Sequence, residues 1–135
     1  MKLIFNEHDH IAAWVSEQIG YLISKPYVAI GAERDGVLCG GAVFNNWNGS
    51  NIEITLASNR CLTRGTIRAI YHYLFIQSKA CRVTAHTKRS NRAMREMFPR
   101  LGFEFEAVAK RFYGQNKQDD AFVFALFYEN ARKFL

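Results

Sequence analysis

The stretch NIEITLASNRCLTRGTIRAIYHYLF, residues 51–75, decides the fold of this chain. Its first part, NIEITLAS (51–58), alternates apolar and polar side chains and therefore predicts a half-buried strand. A short polar connection leads to Thr63, a good N-cap for a helix. Behind it, apolar side chains recur at helical spacing: Ile67, Ile70, Tyr71, Leu74 and Phe75. The stretch thus predicts a strand that leads into a helix with Gly65 in its first turn.

The start of that helix, LTRGTIRAI (62–70), has the features of an anion-binding turn. The first N–H groups of a helix have no intrahelical partner, and the helix dipole favours negative charge there. A glycine in the first turn lets a phosphate group approach the backbone closely. Many helices begin this way and bind nothing, so the turn alone leaves both interpretations open.

The residues before this stretch predict an antiparallel meander. The turn dipeptides DG at 35–36 and NG at 48–49 separate three apolar runs, and both are strong hairpin signals because Asn, Asp and Gly tolerate positive φ. Two glycines at 40–41, inside the middle strand, indicate a bulge or the close approach of another element.

The remaining apolar runs predict the other elements of the fold. They are a strand at KLIF (2–5), a helix from the N-cap Asn6 to about Gly20, a strand at CRVTAH (81–86), a helix capped by Ser90 and ended by Gly102, and strands at FEFEAVAKRFYG (103–114) and DAFVFALFYEN (120–130). The element order is β α β β β α β α β β. It predicts an α/β (α+β) fold with a mixed, mostly antiparallel sheet of six to seven strands and helices on both faces.

This element order, with LTRGTIRAI after the fourth strand and SNRAMREMFPRLGF (90–103) after the fifth, resembles the GNAT superfamily of acyl-CoA-dependent N-acetyltransferases. Within it, the chain looks most like small phage and prophage proteins in which a hairpin such as FNNWNGSNIEITLAS (44–58) precedes LTR. The resemblance implies one GNAT-like acyltransferase domain over residues 1–135. It also implies a splay between the fourth and fifth strands, where acetyl-CoA binds as co-substrate.

The resemblance implies a cofactor site on the fourth strand and the two helices that follow. The pantetheine arm would pair with the strand at Leu56, and Asn91 would position it. Phe98 stands where the family has a tyrosine near the thiol sulfur. Lys88 and Arg89 are candidates for the adenosine phosphates. The pyrophosphate would bind at the helix start formed by Thr63, Arg64, Gly65, Thr66 and Arg68.

The chain departs from the family pattern at three positions, Leu62, Ile67 and Phe98. The family's phosphate signature, Q/R-x-x-G-x-G/A, puts Leu62 at the first position, Gly65 at the first glycine and Ile67 at the last small residue. Phe98 cannot donate a proton. Protonation of the leaving thiolate would therefore fall to water or to another donor, of which the candidates are Tyr71, Tyr73 and Tyr113.

Glu53 is the acid on the fourth strand, where alternation places it opposite the apolar face. Many GNAT enzymes have a catalytic or water-organising Glu on this strand. An amine acceptor arrives mostly as the ammonium and must lose a proton before it attacks a thioester, so a carboxylate within reach suits the chemistry. The other interpretation is an exposed Glu paired with a nearby Lys or Arg.

Asn45 and Trp47 lie in the hairpin tip beside the expected acceptor entrance, and we predict that they line the substrate site. The alternative is that the tip provides only turn and packing residues. His86 ends the fifth strand near the predicted gap, as a proton relay or a surface hydrogen-bonding residue. Four His and three Cys show no ligand spacing, so the sequence predicts no metal site.

Composition limits the setting and the partners. The net charge of +6 suits an anionic partner, either nucleic acid or a phosphorylated cofactor. The three cysteines are an odd count, widely spaced and without a CxxC pair, and the chain shows no signal-peptide pattern, so the sequence favours a reducing cytoplasm. Cys39 and Cys81 are expected in the core. No apolar run approaches the ~20 residues that span a bilayer. The unbroken apolar strand AFVFALFY (121–128) is expected to be buried or to form a homodimer contact.

The leading hypothesis is therefore an acetyl-CoA-dependent N-acetyltransferase that acts by direct attack of a small-molecule or protein amine. One alternative, supported by Leu62, Ile67 and Phe98, is a GNAT-fold binding protein, for example of a phage, that has lost acetyl transfer. Another, motivated by the positive charge, is a GNAT-like protein that modifies nucleic acid.

Overall fold

The computed structural model describes residues 1–58 and 60–135, which form a seven-stranded sheet with helices on both faces. The strands are β1 (Lys2–Ile4), β2 (Tyr27–Arg34), β3 (Val37–Asn45), β4 (Asn51–Ser58), β5 (Arg82–Lys88), β6 (Glu104–Ala109) and β7 (Ala121–Leu126). The helices are α1 (His8–Ile19), α2 (Arg64–Tyr71), α3 (Arg92–Arg100) and α4 (Tyr128–Ala131). A π-helical turn, His72–Gln77, continues α2.

The strand order is β1-β2-β3-β4-β5-β7-β6, and these neighbours pair antiparallel except β4 and β5, which run parallel. The parallel pairing covers only Asn51–Ile54 against Arg82–Ala85. Beyond it, β4 continues to Ser58 and β5 to Lys88, so a V-shaped gap opens between them. The predicted mixed sheet and its splay are both confirmed.

The two faces of the sheet carry separate apolar clusters. Ile52, Ile54 and Leu56 of β4 face α2 and α3 and belong to the larger cluster. Ala57 faces the other way and packs with Ile11 of α1. The alternation of β4 therefore directs Glu53 and Thr55 to the α1 side of the sheet, as the sequence predicts.

The glycine pair of β3 is explained by a close approach of α1. A Cβ atom added at Gly41 would lie 2.8 Å from Cγ2 of Val15 and 3.1 Å from Cγ2 of Ile11. The helix therefore packs directly on the β3 backbone, as the glycine pair indicated. At the predicted hairpin turn, Asp35 and Gly36 have φ of 55° and 80°, the left-handed conformation that these residue types tolerate.

Four predicted element ends are wrong, one of them at β6, which ends at Ala109 and not at Gly114. Helix α1 begins after Glu7, not after Asn6, and α3 is capped by Asn91, whose side chain accepts a hydrogen bond from the Met94 amide, not by Ser90. The final predicted strand stops at Leu126, because the chain turns into α4 and buries Ala131 against the main core. An apolar run without periodicity does not distinguish one long strand from a strand followed by a short helix.

The cysteines do not follow the sequence-based expectation. Cys39 in β3 and Cys61, which follows β4, form a disulfide with a Cα–Cα distance of 5.6 Å. Cys81 is exposed, so its predicted place in the core is wrong, and Cys39 is only half-buried. None of the helices in the described part of the chain is long and apolar enough to span a membrane.

Tyr71 gives a first testable prediction about the core. Its ring is buried and its hydroxyl donates a 2.6 Å hydrogen bond to the Leu101 carbonyl. We expect Tyr71→Phe to lower the free energy of unfolding by about 1–3 kcal/mol, because the carbonyl loses its donor. Chemical denaturation measures this change. Tyr128→Phe is the matched control, since Tyr128 is 45% exposed, and it should leave the midpoint unchanged.

Candidate active site

The gap between β4 and β5 presents backbone groups of β4. The Ser50 carbonyl accepts hydrogen bonds from the amides of Cys81 and Arg82, so even-numbered residues of β4 direct their N–H and C=O groups toward β5. Leu56 and Ser58 lie beyond the last β4–β5 pair. Their backbone groups therefore face the gap, although the Leu56 side chain is buried in the core.

A cavity of about 380 Å³ opens at this gap on the α1 side, and we call it the acceptor-side cavity. Its floor comes from β4, and its wall from the segment after α1, the end of β3, β5 and the segment after β6. Its lining residues are Tyr21, Leu22, Ile23, Ser24, Asn45, Asn46, Glu53, Ile54, Thr55, His86, Phe112 and Tyr113.

Glu53 and His86 meet in this cavity. His86 Nδ1 lies 3.3 Å from one carboxylate oxygen of Glu53, and the Asn46 side-chain amide donates to the other. The imidazole stacks on Phe112 with ring centroids 4.8 Å apart. Burial lowers the pKa of His86, and the Glu53 charge partly opposes this shift. The sequence-based alternative of a Glu53 paired with Lys or Arg is not what the structure shows.

Two tyrosines close one side of the acceptor-side cavity. The Tyr21 and Tyr113 rings stack with centroids 4.4 Å apart, and the Tyr113 hydroxyl donates to the Tyr21 hydroxyl at 3.1 Å. Burial is the main cause that raises the pKa of each phenol. Both therefore stay protonated at neutral pH and can donate hydrogen bonds.

A second concavity, of about 390 Å³, lies on the α2 and α3 side, and we call it the helix-side groove. At its edge, the Thr63 hydroxyl caps α2 by accepting from the Thr66 amide at 3.3 Å. The first-turn amides beside it have no intrahelical partner. The groove is lined by Ser58, Arg60, Leu62, Thr63 and Met97.

The predicted phosphate-binding residues do not all face this groove. Thr66 is buried, and the Arg64 guanidinium donates to the Lys133 carbonyl at 3.2 Å. Gly65 and Arg68 line a different cavity of about 760 Å³, on the opposite side of α2 along the edge of β2. Of the predicted set, Thr63 is thus the residue that lines the helix-side groove.

The cofactor candidates of β5 and α3 also lie apart from one another. Asn91 and Lys88 line a cavity of about 400 Å³ at the mouth of the gap near the end of α1. Phe98 is buried and packs on Phe103 and Phe124, with ring centroids 4.9 and 5.2 Å away. Arg89, the other phosphate candidate, lies 3.8 Å from an Asp120 carboxylate oxygen.

The predicted acceptor residues are separated in the same way. Asn45 lines the acceptor-side cavity, but its side-chain amide donates to the Ser24 carbonyl at 3.0 Å and so anchors the segment after α1. Trp47 is 48% exposed and does not line the cavity. Of the three tyrosines considered as proton donors, Tyr113 lines the acceptor-side cavity, whereas Tyr71 is bonded to Leu101 and Tyr73 lines the cavity beside β2.

Arg60, Tyr21 and Phe112 were not singled out from the sequence. Arg60 lies in the connection before α2, and no spacing rule marks it as a groove residue. Tyr21 and Tyr113 are separated by 92 residues, so nothing in the sequence indicates that they stack. In the residues that the structure describes, no group of three His, Cys, Asp or Glu side chains is placed to hold a metal.

Solved structures of N-acetyltransferases are similar to this chain. Spermidine N-acetyltransferase SpeG from Vibrio cholerae, in complex with CoA and spermine, has a TM-score of 0.73 and 10% identity, covering 97% of each chain. The ribosomal-protein-S18-alanine N-acetyltransferase from Escherichia coli has a TM-score of 0.64 and 17% identity, covering 93% of this chain and 92% of that one. A probable acetyltransferase has a TM-score of 0.63 and 22% identity over 76% of this chain.

This chain spans 62% of the length of that last protein, which is less than two thirds. No protein-family model matches the sequence, and no curated protein matches it. The likeness therefore lies in the strand order, the parallel β4–β5 pair and the gap between them. The chain has the fold of the GNAT acetyltransferases, as its sequence resemblance predicted.

Proposed function

We propose that this chain is a single N-acyltransferase domain that transfers an acetyl group from acetyl-CoA to a primary amine. One observation carries the proposal: the gap between β4 and β5 has a cavity with acid–base groups on one face of the sheet and a groove beside a helix N-terminus on the other. Two reactants can thus approach one point from opposite faces. Holding both in place is a large part of what a transferase must do.

The helix-side groove suits the phosphorylated end of CoA. Free amides at the start of α2 and the exposed Arg60 favour the negative charge of a pyrophosphate. Backbone groups of Leu56 and Ser58 facing the gap would pair with the amide-bearing pantetheine arm. SpeG, which shares the fold, has been solved with CoA, and this supports an acyl-CoA co-substrate here.

Ile67 and Phe98, two of the three departures from the family pattern, do not line this groove. Ile67 is 3% exposed and belongs to the core between the sheet and α2. Phe98 is equally buried. Their bulk therefore serves packing inside the protein. Leu62, which does line the groove, offers an apolar wall where the family has a polar side chain.

The acceptor-side cavity supplies the groups for direct transfer. An ammonium acceptor loses a proton to the Glu53 and His86 pair, and the free amine attacks the thioester carbonyl carbon. The Leu56 amide, which faces the gap, would polarise the carbonyl oxygen. Tyr113, which lines this cavity, would donate a proton to the leaving thiolate. No covalent enzyme intermediate is needed.

The acceptor is an amine on a small molecule or on a protein. Proteins that share this fold act on spermidine or on the alanine of a ribosomal protein, according to their names. We therefore propose a test panel of benzylamine, spermidine and a peptide with an N-terminal alanine. Release of CoA thiol reports transfer to any of them.

Calorimetry with acetyl-CoA is the first test. We expect a binding heat and a rise in melting temperature at or below about 1 mM acetyl-CoA, the usual limit of measurable weak binding. Neither heat nor thermal shift at this concentration would contradict the proposal. CoA without the acetyl group should bind in the same range, because the groove contacts the phosphates.

Thiol release and nucleic-acid retention separate the rival functions. Binding of acetyl-CoA without thiol release for any amine would favour a binding protein that has lost transfer. Retention on DNA or RNA that weakens with salt would favour a nucleic-acid role. Three arginines in and before α3 already have partners in the protein: Arg89 lies beside Asp120, Arg92 beside Glu96, and Arg95 over the Phe122 ring at 4.7 Å.

A further inference from the structure

We propose that His86, and not Glu53, accepts the proton from the acceptor ammonium, and that Glu53 is a positioning residue that fixes the orientation and tautomer of the imidazole. The assignment rests on the proposed N-acyltransferase function and names the group that performs its proton transfer. It replaces the expectation that Glu53 itself is the base.

The contacts of His86 define which ring nitrogen is available. Nδ1 lies 3.3 Å from the Glu53 carboxylate, so a neutral imidazole places its proton on Nδ1 and donates it to Glu53. Nε2 then carries a lone pair and can accept a proton. The stack on Phe112, with an interplanar angle of 8°, holds the ring in this orientation. A carboxylate, an imidazole and an acceptor in this order is the arrangement of a general base with its orienting group.

The contacts of Glu53 make it a poor candidate for the proton acceptor. One of its oxygens faces His86 and the other accepts from the Asn46 amide. Protonation of either oxygen would weaken both of these hydrogen bonds, because a neutral carboxyl is a poorer acceptor than a carboxylate. The two contacts therefore stabilise Glu53 as a carboxylate.

His86 also lies at the point where the two reactants would meet. The β4–β5 pairing ends at Ile54 and Ala85, so His86 is the first residue of β5 beyond the paired segment. It lines the acceptor-side cavity directly. This places the imidazole at the apex of the gap, directly after the last β4–β5 pair.

The surroundings of His86 keep it neutral and ready to accept a proton. Burial lowers its pKa below the ordinary value of 6.5, and Glu53 is the charge that opposes this shift. Tyr21 and Tyr113 face the cavity as neutral phenols, and β7 presents the apolar Val123 opposite His86. The ammonium of Lys88, two residues along β5, lies 5.8 Å from the Tyr113 ring centre.

The reaction balances without another reactant. The ammonium gives one proton to Nε2 of His86, and the freed lone pair forms the C–N bond to the thioester carbonyl carbon. The C–S bond breaks, and its electron pair leaves on the thiolate. Tyr113 gives its proton to the thiolate and regains one from the nitrogen, which thereby loses its second proton, and His86 passes the first proton to water.

The test compares His86→Gln and Glu53→Gln with the matched control His10→Gln, which changes an exposed histidine of α1. In wild type, nitrogen-15 NMR should show His86 protonated on Nδ1, with a pKa below the ordinary value. For the amine of the panel that wild type acetylates, kcat/KM should rise with pH along a limb at that pKa. The amine's own ionisation adds a limb that all variants share.

We expect His86→Gln to lower kcat at neutral pH at least about 100-fold and to remove the His86 limb, while the Kd for acetyl-CoA changes less than about twofold. Glu53→Gln should lower kcat at least about tenfold and move the limb to lower pH, because the charge that raises the His86 pKa is gone. His10→Gln should match wild type. A merely structural role would not move the limb.

Three results would overturn the assignment. They are a His86→Gln enzyme as fast as wild type, a pH limb that survives in His86→Gln but disappears in Glu53→Gln, and an imidazole protonated on Nε2 in the free protein. The last needs no substrate. A wild-type protein that binds acetyl-CoA yet acetylates no amine overturns the proposed function and this assignment with it, whereas an active His86→Gln enzyme overturns this assignment alone.

Discussion

Replacing Gly41 by valine is expected to lower the free energy of unfolding by at least about 2 kcal/mol, the upper part of the range for overpacked cores. The physical reason is the direct packing of α1 on β3. The first added carbon would already lie 2.8 Å from Cγ2 of Val15 and 3.1 Å from Cγ2 of Ile11, both of which are fully buried. Valine adds two methyl groups to this crowded space. Either α1 moves away from the sheet or the strand bends, and both disrupt the smaller apolar cluster.

Urea denaturation followed by circular dichroism measures this effect. The matched control is Ala107→Val, which enlarges a side chain on the exposed strand β6. That change should stay within about 0.5 kcal/mol of wild type, as surface substitutions usually do. A Gly41→Val protein as stable as its control would mean that α1 does not rest on the β3 backbone.

Replacing Met97 by tryptophan is expected to weaken acetyl-CoA binding at least about tenfold, which corresponds to about 1.4 kcal/mol. Met97 lies on α3 and lines the helix-side groove opposite Ser58 and Thr63. A tryptophan at this position occupies part of a groove of about 390 Å³. The pantetheine arm or the pyrophosphate would then lose its place against β4 and the start of α2.

Titration calorimetry gives the Kd, and Met97→Leu serves as the control because it keeps the volume and apolar character of the side chain. The melting temperature of both variants shows whether the fold survives. Unchanged affinity in a folded Met97→Trp protein would exclude the helix-side groove as the acetyl-CoA site. The His86 and Glu53 variants, on the other face, should bind acetyl-CoA as wild type does.

Local chemistry made much of this fold predictable. Thr63 caps α2 through the Thr66 amide, and the Asp35-Gly36 turn adopts positive φ, because these residue types have few other ways to satisfy a helix start or a two-residue turn. The start of α3 was predicted wrongly because two neighbouring residues compete for the capping position. At the start of α3, both Ser90 and Asn91 are suitable caps, and the Asn91 side chain is the one that reaches the Met94 amide.

The candidate site was predictable only in part, since most of its contacts join distant parts of the chain. Alternation along β4 placed Glu53 on the acceptor side, but its partner Asn46 comes from the turn after β3 and its partner His86 from β5. The disulfide between Cys39 and Cys61 was not predicted, because an odd cysteine count shows no pairing. A disulfide is also uncommon in the reducing cytoplasm that the cysteine pattern favoured.

The gap between β4 and β5 has a consequence for kinetics. The acceptor-side cavity and the helix-side groove open on opposite faces of the sheet, so under the proposed function neither reactant would obstruct the entry of the other. An acyltransferase of this build forms a ternary complex, and its initial-rate plots for the two substrates should intersect, not run parallel. Either substrate could bind first, and CoA could dissociate while the acylated product is still bound. Under the proposed function, the order of substrate binding is therefore expected to be random.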